Sequence, residues 1–176
     1  MKRHLILIAA SVLLVAPARA QSAPERTGVN SALGVSPSTP DFAKEVAISD
    51  MFEIESSKLA QQRGVAATKS FADHMIMDHT KTSMELKSMV QSGKVKADLP
   101  SSLDSIHQSK LDKLKGLNGE EFNKNYDEMQ VDAHKDAVDL FGRYAKGGDN
   151  TDLKQWAATT IPTLQTHLKM AQELPK

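Results

Sequence analysis

Apolar residues recur every three to four positions in five segments of this 176-residue chain, four of them long. In the last segment, for example, Leu153, Ala157 and Leu164 fall on one stripe. This spacing is that of an amphipathic α-helix, and no segment keeps the two-residue alternation of a strand. The fold class is therefore predicted to be all-α. The predicted helices span residues 40–63, 66–92, 101–116, 120–146 and 150–174.

The lengths of the connections predict how these helices are arranged. Only a few residues join the first helix to the second and the fourth to the fifth, and such short loops make antiparallel hairpins. Residues 93–119, which contain the short third helix, are long enough to cross the length of a bundle. Two antiparallel hairpins joined by such a crossover form a ferritin-like four-helix bundle. Pro162 lies inside the fifth helix, where it should kink or break the helix.

The N-terminus has the pattern of a secretory signal peptide. Lys2 and Arg3 precede an apolar run, and Ala18-Arg19-Ala20 supplies the small-x-small cleavage site. The run of about 12 residues is shorter than the roughly 20 that span a bilayer. We therefore expect residues 1–20 to be removed by cleavage after Ala20 and the product to be exported, into a bacterial periplasm.

Two further regions follow the signal peptide. Residues 21–39 are rich in Ser, Pro, Gly and Thr, and such a segment cannot bury enough apolar surface to order itself, so it is predicted to be a flexible linker. Thr39-Pro40-Asp41 reads as a helix start, with Thr39 as the N-cap and Pro40 as the first helical residue. The helical-bundle domain is accordingly predicted to occupy residues 40–175.

Charge and composition narrow the possible partners. The chain has 22 Lys+Arg against 22 Asp+Glu, and cleavage removes three basic residues (22 − 3 = 19), which leaves a net charge of −3. This balance excludes a nucleic-acid binder that works by bulk positive charge. No second apolar stretch approaches membrane length, so no stable membrane insertion is expected after cleavage. A protein partner or a second copy of the chain stays open.

The chain contains no cysteine. Disulfides, thiolate metal sites and a catalytic thiol are therefore excluded, and any metal chemistry must come from histidines and carboxylates. No nucleophile is paired with a base, so no catalytic residue is assigned and the protein is not expected to be an enzyme.

Four polar residues interrupt the apolar stripes, one on each long helix: Glu53, His79, His134 and His167. Inward-facing imidazoles and carboxylates on facing helices are how bundles hold metal ions. These ligands suit one transition-metal ion of Zn, Fe, Mn or Cu. At about 1.5 Å per residue, the first three lie at one height, while His167 is expected roughly 7 Å further along.

Two alternatives to this metal site stay open. Tyr126, Thr82 or Glu53 could satisfy the buried histidines by hydrogen bonds, which would make a metal-free sensing or protein-interaction bundle. A redox-metal oxidase is the other alternative, but its di-iron centre needs Glu-x-x-His on two helices, and the chain contains no such motif.

The sequence also resembles a known family over about residues 41–174. The resemblance, to the domain of unknown function family 4142, is carried by Met51-Phe-Glu-Ile-Glu, Phe71-Ala-x-x-Met75, Asp78-His79, Phe122-x-x-x-Tyr126, Ala133-His134, Leu153-x-x-Trp156 and Ile161-Pro162-x-Leu164-x-x-His167-Leu. It implies an exported bacterial protein with a ferritin-like bundle, and it places Asp78-His79, His134 and His167 at characteristic positions of the family. Asn123 departs from the family pattern, where an Asp is expected. The resemblance implies no reaction. The function expected from all these features is a non-catalytic binding or stress-related module in the periplasm.

Overall fold

A computed structural model describes residues 29–175 of the chain, with side chains from residue 31 onward. The predicted signal peptide and residues 21–28 of the predicted linker lie outside the described residues. Within the described part, a four-residue helical turn, Val29–Ala32, precedes five helices, and there is no strand. The all-α prediction is confirmed. The five helices are α1 (Thr39–Arg63), α2 (Ala66–Gln91), α3 (Ser105–Lys115), α4 (Gly119–Gly147) and α5 (Thr151–Gln172).

The start of α1 differs by one residue from the prediction. Ser38, not Thr39, is the N-cap, and its side-chain oxygen accepts a hydrogen bond from the Asp41 backbone N–H at 3.3 Å. The Thr39 hydroxyl is engaged elsewhere, because it bonds to the Tyr144 hydroxyl and the Asp149 carboxylate near the end of α4. The first residue of α1 is thereby tied to the loop after α4.

Side-chain contacts show that α1 runs antiparallel to both of its neighbours. Along α4, the partner of Thr39 is Tyr144, whereas the partner of Ser57 is Tyr126, whose hydroxyl lies 2.8 Å away. Along α2, the Gln61 amide near the end of α1 bonds to Asp73 near the start of α2 at 2.6 Å.

The α2–α5 pair is antiparallel by the same reasoning. Asp78 contacts His167, while Glu85, two turns later, accepts a hydrogen bond from the Trp156 indole at 2.8 Å. Since α2 and α4 are both antiparallel to α1, they run in the same direction. Residues 92–118, with α3 among them, therefore carry the chain back along the bundle.

Buried apolar side chains form two separate clusters along the bundle. One holds Phe52, Phe71 and Met75, together with Phe122 and Tyr126. The other holds Phe42, Leu86, Phe141, Leu153 and Leu164. On α2, α4 and α5 the histidines identified from the sequence fall between members of the two clusters. A buried polar layer thus separates two apolar halves of the core.

Pro162 does not break α5, which continues from Thr151 to Gln172. Of the predicted kink or break, the break is therefore wrong. Proline removes only one backbone donor, and the packing of α5 against α2 and α4 holds the helix together across that gap.

Two glycines near the end of α4 should respond oppositely to substitution by alanine. A Cβ on Gly148 would lie 2.7 Å from the Tyr144 ring and backbone oxygen, so Gly148→Ala should lower the free energy of unfolding by about 1–3 kcal/mol. A Cβ on Gly142, inside the helix, meets nothing within 4 Å, so Gly142→Ala should raise it by about 0.5–1 kcal/mol. Urea unfolding of both variants measures the difference. Equal effects of the same sign would show that the turn after α4 is not closely packed.

Candidate metal centre

His79, His134 and His167 meet in the centre of the bundle. Each ring contributes one nitrogen to a set of three nitrogens that all lie within 4.8 Å of one another. Their ring centroids are 5.3–5.6 Å apart. All three residues are buried, with 4%, 1% and 3% of their surface exposed. Three different helices therefore deliver three imidazoles to one point that is shielded from solvent.

A buried carboxylate orients the His79 ring. Asp50 on α1 lies 2.8 Å from His79 Nδ1 through one oxygen. Its other oxygen accepts hydrogen bonds from the hydroxyls of Thr82 at 2.9 Å and Ser83 at 3.1 Å. With both oxygens engaged, Asp50 fixes the rotation of the His79 ring through Nδ1 and leaves Nε2 without a hydrogen bond.

The other two rings are oriented in a similar way. His134 Nδ1 lies 2.9 Å from the backbone oxygen of Gln130, one turn earlier on α4. His167 Nε2 lies 2.9 Å from an Asp78 carboxylate oxygen on α2. Each ring therefore uses one nitrogen to hold its position, which is the arrangement that surrounds histidine ligands in metal sites.

The remaining ring nitrogens have no hydrogen-bond partner among the described residues. They are His79 Nε2, His134 Nε2 and His167 Nδ1, and each is fully buried. Leaving a buried polar atom unpaired costs about 1–3 kcal/mol, so such atoms are rare unless something binds them. Each of the three clustered rings therefore carries one buried nitrogen that is free to bind something else.

The pKa values of these histidines reflect burial opposed by neighbouring carboxylates. Burial, with a smaller contribution from the charge of His79, lowers the pKa of His134 to about 3. Burial also lowers the pKa of His167, although its bond to Asp78 opposes this. Burial lowers the pKa of His79 too, but the hydrogen bond and charge of Asp50 outweigh it and leave this pKa above its usual value. At least two of the rings are therefore neutral, the form that binds metals.

Glu53, the fourth residue identified from the sequence, is buried beside this centre but is not part of the close set. Burial raises the pKa of its carboxyl group to about 7, although the charge of His79 and the Gln130 side chain lower it in part. Glu53 lies one turn after Asp50 on α1, and helical side chains lean toward the N-terminus of their helix. Its carboxyl group is thus directed toward the layer that holds the histidines.

The sequence profile of a family described as Domain of unknown function (DUF4142) matches residues 24–174. The chain belongs to the DUF4142 family. The membership predicted from the sequence is thereby confirmed. Neither the curated proteins nor the solved structures gave a match.

The residues that orient the rings in this DUF4142 protein were not identified from the sequence. The predicted partners Tyr126 and Thr82 do not bond to a histidine ring: the Tyr126 hydroxyl bonds to Ser57, and the Thr82 hydroxyl bonds to Asp50 and to the His79 backbone oxygen. Asp50 could have been found, because it lies three residues before Glu53 and so faces the same side of α1. Asp78 was noted only as the neighbour of His79, and nothing in its spacing indicates a bond to α5.

His167 lies level with the other two histidines, so the expected offset of roughly 7 Å is wrong. A count of residues gives positions along the helix axes and leaves out the direction of the side chains. Each side chain leans toward the N-terminus of its own helix. Because α4 and α5 are antiparallel, His134 leans away from the loop that joins them and His167 leans toward it, which closes the gap.

A cavity of about 540 Å³ reaches this centre from the surface between α1 and α4. His79 and Asp50 line its inner end, while Ile106 and Lys110 of α3 lie along its side. Its size is in the range of small-molecule sites.

Within the described residues, none of the helices is both long enough and apolar enough to cross a membrane.

A second buried carboxyl group should make the stability of this DUF4142 protein depend on pH. Asp127 on α4 is 7% exposed, neither of its oxygens has a hydrogen-bond partner, and burial raises its pKa from 3.8 to about 7. Between these two values the folded chain holds a proton that the unfolded chain has lost. Its contribution to stability is therefore complete below about pH 4 and is lost as the pH rises through about 7.

Asp127→Asn is expected to remove this loss. The variant should be about 1–2 kcal/mol more stable than the parent at pH 8 and nearly equal to it at pH 4, because asparagine resembles the protonated acid. Urea unfolding at the two pH values measures this, with Asp132→Asn as an exposed control on the same helix. A gain of the same size at both pH values would contradict the assignment.

Proposed function

We propose that this protein binds one transition-metal ion through His79 Nε2, His134 Nε2 and His167 Nδ1, as a non-catalytic metal-binding module. The proposal rests on one observation. These three nitrogens are buried and unpaired, and each opposite nitrogen is held by a carboxylate or a backbone oxygen, in three rings that each bring a nitrogen within 4.8 Å of the others. A tetrahedral ion with metal–nitrogen bonds of about 2.0–2.1 Å holds its nitrogens about 3.4 Å apart. Small ring movements suffice to reach that spacing.

The ligand set favours Zn²⁺ or Cu²⁺ over the other ions considered. Imidazole suits both of these metals, whereas Mn²⁺ prefers carboxylate and water oxygens. Three histidines leave a fourth position on a tetrahedral ion. We propose that Glu53 supplies the oxygen ligand there, because it is buried, neither of its oxygens has a hydrogen-bond partner, and its carboxyl group interacts electrostatically with His79.

The charges around the centre suit a divalent cation. Asp50 and Asp78 each touch one of the ligating rings, and together they supply two negative charges next to the ion. A buried charge needs such compensation, since an isolated ion inside a protein is strongly destabilising. A purely structural network would gain nothing from leaving three ring nitrogens unpaired between these two acids.

We also propose where the protein is located, which type of bundle it forms and what role the metal site has. A periplasmic location is supported by the signal-peptide pattern of residues 1–20. A ferritin-like arrangement is supported by the antiparallel pairs and by the single crossover through α3, which joins two helices that run the same way. A binding or stress-related role then follows from an exported protein that takes up a reactive metal.

Metal stoichiometry tests the proposed function. The mature chain, purified without a histidine tag, is loaded with Zn²⁺, dialysed and analysed for metal. We expect one ion per chain, and much less in His79→Ala and in His134→Phe. His74→Ala is the matched control, because His74 is an exposed histidine on α2 outside the close set. Equal metal in all four proteins, or metal far below one per chain in the parent, would refute the proposal.

A further inference from the structure

We propose that the cavity between α1 and α4 is the path by which a hydrated divalent cation reaches the three histidines, and that Asp136 at its mouth attracts the cation. This inference rests on the proposed function and adds how the ion enters. Asp136 is not one of the proposed metal ligands.

Packing closes the routes to the centre along the bundle axis. The two apolar clusters close the bundle above and below the histidine layer, and a hydrated ion does not cross such packing. The cavity instead opens at the surface and ends at His79, which is one of the three proposed ligands. His134 and His167 do not line it. An ion that follows this path therefore meets His79 first.

Carboxylates are distributed along the cavity from its mouth to its inner end. Asp136 and Asp139 are exposed at the mouth, Glu45 is partly buried, and Asp50 is at the inner end. Arg143 also lines the cavity, but its guanidinium is bonded to Asp139 at 2.8 Å and to the Val35 carbonyl at 2.6 Å. Asp136 is therefore the acid at the mouth that has no arginine bonded to it.

Lys110 acts against this attraction. It lies on α3 along the side of the cavity, partly buried, and its charge acts on both Asp136 and Glu53. A lysine on the path repels a divalent cation as it approaches. The two residues should therefore change the rate of entry in opposite directions, a pattern that general loss of structure would not produce.

The rate of Zn²⁺ binding tests the path. The mature chain is mixed with Zn²⁺ in a stopped-flow instrument, and a chromophoric chelator reports free Zn²⁺. Each unit charge acts doubly on a divalent ion, so Asp136→Asn should slow association about threefold to tenfold at low ionic strength, and Lys110→Met should accelerate it by a similar factor. Both effects should shrink in high salt. Asp152→Asn, an exposed acid of α5 outside the cavity, is the control and should leave the rate unchanged.

A bulky side chain provides a second test that does not depend on charge. Ala137 lines the cavity, and Ala137→Phe should slow both binding and release of Zn²⁺ while the equilibrium stoichiometry stays at one. If Zn²⁺ binds at one per chain and all variants associate at the parent rate, the path is wrong and the proposed function stands. If the parent binds no Zn²⁺, both proposals fail.

Discussion

Zn²⁺ at about one hundred times its dissociation constant should raise the melting temperature of the mature protein by about 5–11 °C. An ion that binds only the folded state at this concentration adds about 2.7 kcal/mol of stability, and in a chain of this size 1 kcal/mol corresponds to about 2–4 °C. The unfolded chain cannot bring the three histidines together, because they lie on three different helices. Differential scanning calorimetry with and without Zn²⁺ measures the shift.

The variant His134→Phe should separate the metal site from the stability of the fold. Phenylalanine keeps the ring volume and removes the unpaired Nε2, so the metal-free variant should be as stable as the parent or up to about 2 kcal/mol more stable. It should show no Zn²⁺-induced shift. His74→Ala should keep the whole shift. A Zn²⁺-induced shift that survives in His134→Phe would mean that the ion binds elsewhere.

Removal of Asp50 should produce the largest loss of stability of any change near the centre. Asp50 is 3% exposed and binds His79, Thr82 and Ser83. Asp50→Ala leaves His79 Nδ1 and the Ser83 hydroxyl without this acceptor, leaves the Thr82 hydroxyl with only the His79 backbone oxygen, and is expected to cost about 3–5 kcal/mol of unfolding free energy. The affinity for Zn²⁺ should also fall about tenfold to a hundredfold, because the His79 ring loses the partner that orients it.

Asp78→Ala should lower stability and Zn²⁺ affinity less than Asp50→Ala does. Asp78 makes a single bond, to His167, and its side chain is 28% exposed, so water can replace it in part. We expect a cost of about 1 kcal/mol and a smaller loss of affinity. Urea unfolding and competition with a chelator measure both quantities. If Asp78→Ala were as damaging as Asp50→Ala, burial would not be what makes Asp50 important.

The helices could be predicted from the sequence because each carries its own apolar stripe and end signals. Their observed bounds differ from the predicted ones by at most four residues, at the start of α3. The later start of α3 in the structure has a physical reason. Asp104 caps it by accepting a hydrogen bond from the His107 backbone N–H at 2.8 Å, so the helix begins after Asp104 and not after Pro100.

The candidate site could be predicted only in part. One histidine on the inward stripe of each of α2, α4 and α5 was sufficient to identify the three residues, but counting residues placed His167 roughly 7 Å from the other two, and only the structure brings all three together. The partners of these rings were not predictable in the same way, because they depend on how neighbouring helices are rotated against each other. The Asp50–His79 and Asp78–His167 bonds each join two helices, and a single sequence contains no direct signal for such pairs.

The polar layer also has a consequence for the fold. The two apolar clusters would pack more favourably if they were continuous, so the buried histidines and Glu53 lower the stability of the metal-free bundle. Proteins commonly keep such unfavourable groups where they bind something. The layer is therefore better explained by a bound ion than by the needs of packing.

A crystal structure of the Zn²⁺-loaded protein, with anomalous data collected at the zinc edge, tests the central claim most directly. We expect one anomalous peak in the centre of the bundle, about 2.0–2.1 Å from His79 Nε2, His134 Nε2 and His167 Nδ1. The bonds to Asp50, Gln130 and Asp78 should persist. A peak at surface histidines alone, or three rings that remain unligated under full zinc loading, would contradict it.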